Sequence, residues 1–435
     1  MELNLQNNKP SISWVKSELI EQRIDGQFYK SEFVKNEMKI KKLNNMLLKD
    51  MYYKGEYGTL PDSDDYCDEG IYLIRGTDLR DLSIDEKKLI VVPKEYFNEK
   101  SEVKTEDILM LIKGATIDAE WSVSIVPKNN YKAIFNGSIF RIRLNKEYDP
   151  YYLTAFMSTK YFLRQKKRAI SNTGIFYNDK ESIEKFVIPI PSPEIQKYIG
   201  DKVRKAEELR EEAKRLKKEA EEIFNKNYQQ VSKKGEKHEW VKEYYLSEDN
   251  VIPNFYKQYD LLKDKNHVYL EFESIVDSIK CGIPVRSDMR IGSKYPFYGA
   301  SGITDNIDDY NFDGEYLVVA QDGSVGAVNV ARDKFWANNH VWVVQIKDGW
   351  DFEFLELYLQ KYNYWISLTT GSVVPKVTSE NLKRLLVPKI DYKTQEEIGK
   401  RIRESKNKEL NSKTLINQAK QDIENLLEGN FSIDE

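Results

Sequence analysis

The stretch "KYFLRQKKRAISNTG" concentrates the residue types that could hold a polyanion. It carries Lys160, Arg164, Lys166, Lys167 and Arg168 with no acidic residue between them, and it ends with Asn172 and Thr173. Phosphate oxygens need such cations, and the amide and hydroxyl can add neutral hydrogen bonds. A solvated helix end has the same composition, and the stretch alone does not decide between the two readings. Other chemistries are poorly supplied. Two cysteines, Cys67 and Cys281, and three histidines, His238, His267 and His340, give neither a disulfide framework nor a Cys/His metal site, so no metal site is expected. There is no Gly-rich phosphate loop and no Gly-x-Ser-x-Gly nucleophile elbow. "YGASGI" (298–303) and "QDGSVG" (321–326) have the wrong spacing and read as tight turns at strand ends. Asp62, Asp85 and Lys87 imitate a nuclease carboxylate–lysine set, but such sets arise cheaply in a chain that is 32% charged. No catalytic residue is expected, and a binding or scaffold protein is favoured over an enzyme.

The bulk composition agrees. With 435 residues, 40% of them apolar, the chain can build two or three globular domains. Its 67 basic and 71 acidic residues leave a net charge of -4, so any nucleic-acid footprint must be local. No run approaches the roughly 18 apolar residues of a membrane helix. No secretory leader opens the sequence, so a cytoplasmic protein without membrane attachment is expected.

The elements that must position these residues occur twice. "IPIPSPEIQKYIGDKV" (188–203) and "LVPKIDYKTQEEIGKRI" (386–402) align without a gap: Pro189 and Pro388, Gln196 and Gln395, and Gly200 and Gly399 each lie 199 apart. Upstream, "IFNGSIFRIRL" faces "WANNHVWVVQI", with Asn136 and Asn338, and Asp149 and Asp351, each 202 apart. The halves also open alike, at Trp14 and Trp240. Three matches in one order indicate an internal duplication of roughly 200 residues, with a polar break near 232–237. "ILMLI", "SIFRIRL", "EYLVVA" and "HVWVVQI" are β-branched and aromatic and predict strands. Asp149 and Asp351 predict helix caps, and each half ends in a long helix.

Those helices carry small residues at heptad spacing: Ala206, Ala213 and Ala220 in the first, Ser405, Ser412 and Ala419 in the second. Two such stripes let backbones approach closely, so the helices are expected to pack on each other, antiparallel. At about 1.5 Å per residue, some 35 residues would make a rod on the order of 50 Å with a globule at each end. Two unrelated surface helices are the plainer alternative.

In this order of features the sequence resembles the specificity subunits of Type I restriction–modification enzymes. "SIVDSIKCGIPVRSD", "YPFYGASGITDNIDDYNFDGEYLVVAQDGSVGAVNV", "FWANNHVWVVQI" and "TTGSVVPKVTSENLKRLLVPKI" carry the resemblance most clearly. The first half is more divergent, with Asp118 where glycine is common and "PEIQ" for the usual Glu-Glu-Gln. The resemblance implies an α+β architecture of two duplicated target-recognition domains, related by a pseudo-twofold and separated by two long antiparallel coiled-coil helices. Its boundaries would be 1–180 and 232–378 for the domains, and 181–231 and 379–435 for the spacers. It implies a non-catalytic chain that reads a split site in double-stranded DNA. That chain would bind two methyltransferase subunits and, through them, two restriction subunits, with S-adenosylmethionine, ATP and magnesium held by the partners. In the second half, the place matching the basic stretch, "YNYWISLTTGSVVPK", makes Thr370, Ser372 and Lys376 the expected DNA contacts, with Arg286, Arg290 and Lys294 expected nearby in the "PVRSDMRIGSK" loop. A protein-only coiled-coil scaffold and a stand-alone nuclease are the competing classes.

Overall fold

The computed structural model describes residues 20, 26–128, 132–170, 176–228, 267–286, 290, 292–362, 365–371 and 374–432. The similar openings at Trp14 and Trp240, the polar break at 232–237, and Asn172, Thr173 and Ser372 lie outside them. The chain divides into two compact units, Met1–Glu211 with Lys408–Glu435, and Glu212–Asn407.

In the first unit, helix α1 (Ser31–Ile40) precedes a four-stranded antiparallel sheet of β1 (Tyr52–Tyr57), β2 (Ile108–Leu111), β3 (Val123–Ile125) and β4 (Ile139–Leu144), in the order β1-β4-β2-β3. The strand period of two divides β2 between two cores. Ile108 and Met110 join the core that contains Tyr152 and Phe162, whereas Leu109 and Leu111 join a second core with Ile74 and Phe135. Helices α2 (Pro150–Met157) and α3 (Lys160–Arg168) contribute to the first of these cores. A smaller sheet of 90–92, 71–74 and 133–135 contributes to the second. Helix α4 (Pro193–Asn227) follows and crosses the unit boundary at Glu211.

The second unit repeats this order. Strands β5 (Val276–Cys281), β6 (Tyr316–Ala320), β7 (Val328–Ala331) and β8 (Val341–Ile346) pair as β5-β8-β6-β7, the same permutation. Leu317 and Val319 face one core, and Val318 faces another. The three-stranded sheet of the first unit and a second four-stranded sheet of 302–307, 295–299, 334–337 and 312–313 in the second unit each have one parallel pair: 71–74 beside 133–135, and 295–299 beside 334–337. Helices α5 (Phe352–Gln360) and α6 (Tyr392–Glu428) complete the set, and the four predicted strands and both capped helices are all present.

The repeated phrase has a structural reason. Asp149 Oδ1 accepts from the Tyr151 and Tyr152 amides at 2.9 and 3.1 Å, and Asp351 Oδ1 accepts from the Phe354 amide at 3.0 Å. Each capping carboxylate lies against the long helix that follows, where Gly200 or Gly399 leaves room. A Cβ at Gly200 would meet Asp149 Oδ2 at 2.7 Å, and one at Gly399 would meet Asp351 Oδ1 at 1.9 Å. One turn on, Arg204 and Arg403 each bind their aspartate at 2.7 Å. Gln196 and Gln395 donate to the carbonyls of Pro191 and Ile390 at 2.9 and 2.8 Å, fixing both helix entries.

In each unit a part of α4 packs antiparallel to a part of α6. In the first, Lys202 pairs with Asp422 at 2.5 Å and the Tyr198 and Phe431 rings lie 6.1 Å apart, so one number falls as the other rises. In the second, Ser405 Oγ donates to the Ala213 carbonyl at 2.8 Å while Arg401 reaches Glu219 at 3.5 Å. Ala206, Ala213, Ala220, Ser405, Ser412 and Ala419 are all buried. Small side chains therefore line both helices where they pack in each unit.

Candidate nucleic-acid interface

The basic stretch forms α3, and the helix turns much of its charge inward. Tyr161, Phe162 and Leu163 are buried, and Phe162 meets Phe156 and Phe186 edge to face. Lys166 lies at the same helical spacing and is fully buried with them. Its ammonium donates to the Leu111 carbonyl at 2.8 Å and to Ser122 Oγ at 2.9 Å, and burial pushes its pKa down to about 7. The expectation that Lys166 touches phosphate is therefore corrected: a group with no exposed surface, already bonded to two acceptors, is a core anchor. Arg168 is also engaged. It donates to the Phe28 carbonyl at 2.9 Å, stacks on the Phe28 ring at 3.9 Å and pairs with Glu37. Lys160 binds Glu424 at 2.5 Å and Glu428 at 3.6 Å, tying α3 to α6. Of the five cations, Lys160 and Lys167 are exposed, Lys167 with Asp118 3.9 Å away, and Arg164 is half-buried.

In the second unit the expected residues form two groups. Arg286, Arg290 and Lys294 are all exposed; the Arg290 guanidinium lies 5.0 Å over the Phe297 ring. Thr370 and Lys376 are brought together in a two-stranded ribbon, where Thr370 Oγ1 donates to the Lys376 carbonyl at 3.3 Å. Lys376 is exposed and forms a β-bridge to Asp322.

That bridge leads to residues not singled out from the sequence. His340, half exposed, has Nδ1 2.8 Å from Asp322 Oδ1. An ionised carboxylate only accepts, so Nδ1 carries the hydrogen and Nε2 is left for another partner. The first unit has the same backbone here. The Ile112 amide donates to the Ser138 carbonyl at 2.8 Å, as Gln321 does to His340. Lys113 bridges to Tyr177 as Asp322 bridges to Lys376. Asn136 and Asn338 accept from the amides of Ser138 and His340, at 3.2 and 2.8 Å. The 202-residue offset already pairs Ser138 with His340, which was the available signal. Among the described residues no group of three or more His, Cys, Asp or Glu side chains could hold a metal ion, and no helix is long and apolar enough to cross a membrane.

A family model for the type I restriction modification DNA specificity domain matches residues 40–222 and again 265–421, most of the chain and one match per half. The chain belongs to this family. Its members are the specificity subunits of type I systems, which have no catalysis of their own. A type I restriction enzyme specificity subunit from Haemophilus influenzae is 37% identical over 121 residues, which is 27% of this chain and 31% of that relative, so the match spans about a third of the relative's length. The S subunit of a type I restriction–modification system from M. genitalium, a crystal structure, is alike over 90% of this chain and 97% of its own, with TM-score 0.50 and 14% identity. At that identity the likeness is one of fold, and the fold it shares is the duplicated one.

Proposed function

We propose that this chain reads a bipartite sequence in double-stranded DNA and delivers methyltransferase and restriction subunits to it. Each unit would read one half-site. Residues 1–180 and 232–378 would be the two target-recognition domains, and 181–231 and 379–435 the spacers. The observation that carries this is the duplication within a specificity-family chain: two sheets with one strand permutation, each followed by the same cap–glycine–arginine junction to a long helix. Two copies of one binding scaffold suit a target with two halves.

The chain itself needs no cofactor for this task. S-adenosylmethionine, ATP and magnesium belong to two methyltransferase subunits and two restriction subunits that assemble on it in the cytoplasm. Arg164 and Lys167 in the first unit, and Arg286, Arg290, Lys294, Thr370 and Lys376 in the second, are the proposed DNA contacts. The test is a genome-wide map of methylated adenines with and without the gene. Loss of one split motif on deletion is expected, and a methylation pattern that deletion leaves unchanged would contradict the proposal.

A further inference from the structure

The two units agree at five pairs of side chains that hold the scaffold together. Asp149 and Asp351, Gly200 and Gly399, Arg204 and Arg403, Gln196 and Gln395, and Asn136 and Asn338 are identical pairs in equivalent contacts. At one place the backbone is equally well matched while the chemistry is not. Register fixes that match: Leu111 pairs with Ile139 as Ala320 pairs with Val341. Lys113 therefore corresponds to Asp322, Ser138 to His340, and Tyr177 to Lys376. A cation has become an anion, a hydroxyl an imidazole, and a phenol a cation.

Five of the six lie outside the hydrophobic cores, and Tyr177 packs at the edge of the first one. Lys113, His340 and Lys376 are exposed, and Ser138, Tyr177 and Asp322 are partly so. Backbone hydrogen bonds hold all three positions on strand ends, with the Asn178 amide donating to Ile112 at 3.0 Å and the Val377 amide to Gln321 at 2.8 Å. The positions are held by backbone hydrogen bonds, at least partly accessible, and chemically different between copies. Two readers that share a scaffold but see different half-sites need such positions.

Resting on the function proposed above, we infer that Lys113, Ser138 and Tyr177 in the first unit, and Asp322, His340 and Lys376 in the second, are the positions that set which base pairs each unit accepts. In the second unit Asp322 is a positioning residue. It holds Nδ1–H of His340, so that Nε2 is presented to a base edge, where it can accept from an exocyclic amine. Lys376 supplies a neighbouring cation for guanine O6 and N7 or for phosphate. In the first unit Ser138 Oγ already donates to Asn136 Oδ1 at 2.6 Å, which leaves its lone pairs to accept.

The experiment uses the assembled complex in cells lacking the chromosomal gene, with the methylome as readout. The triple variant D322K/H340S/K376Y is expected to alter or relax one half of the methylated motif and to leave the other half and the gap unchanged. The surface variant H340A, with little effect on folding, is expected to reduce the preference of the purified complex for the intact half-site over an altered one by roughly tenfold or more. An unchanged preference in H340A, or a triple variant that writes the wild-type motif at wild-type efficiency, overturns the assignment alone. A wild-type chain that writes no split motif overturns the function on which the assignment rests, and the assignment with it.

Discussion

Lys166 shows how far a residue's type can mislead about its job. A run of five cations without an acid is legible as a polyanion site, but which cations face outward depends on helical phase, and the two aromatic neighbours at 161 and 162 set that phase. Two predictions separate the roles. R164Q/K167Q should lower the log–log salt slope of DNA binding by about 0.9 for each phosphate deprived of its cation, while K166M should leave the slope alone; the reverse result in a salt titration of the complex would reassign them. K166M should also change how stability depends on pH. The folded value of Lys166, about 7, lies below its ordinary 10.5, so between those values the unfolded chain holds a proton that the folded chain lacks. Wild type should gain on K166M as pH rises through that window, by up to about 1.4 kcal/mol per pH unit, and below pH 7 the gap should be flat. Denaturant titrations at several pH values would show it, and a gap that stays constant to pH 10 would mean that the amine is charged in the fold.

At the scale of elements, much was legible. The strand segments, the caps at Asp149 and Asp351 and the two long helices follow from period-two and heptad patterns, because local backbone and burial preferences dominate there. The pairing of Asp322 with His340 was not, because the two lie 18 residues apart on different strand ends and only the sheet register joins them. The ion clamps that seat the long helices were equally hidden. Arg204 pairs with Asp149 and stacks 4.5 Å over the Tyr151 ring, whereas Arg403 bridges Asp351 and the fully buried Glu353, at 2.7 and 2.5 Å. The other Glu353 oxygen lies 2.6 Å from the Arg332 guanidinium. Removing one partner leaves a buried charge under-compensated, which is costlier than removing a partner beside an aromatic ring. R403M should therefore loosen its unit more than R204M loosens the other. Hydrogen exchange of the amides in α5 and α2 reports each: faster exchange in α5 of R403M is expected, and equally weakened protection in the two variants would contradict the account.

For the whole molecule, duplication is the organising fact. One fold made twice lets the junctions stay identical while the exposed strand ends diverge, and this separates assembly from reading. If that separation is real, residues 232–378 are an exchangeable reader: α4 and α6 lie outside them, and the junction residue the segment contributes, Asp351, is the one that repeats as Asp149. The decisive measurement is the methylome written by a chain carrying the equivalent segment of a relative with a different motif. The account predicts that one half of the split motif changes, while the other half and the number of unread bases between them persist. An assembled, active hybrid that alters both halves, or neither, would contradict it.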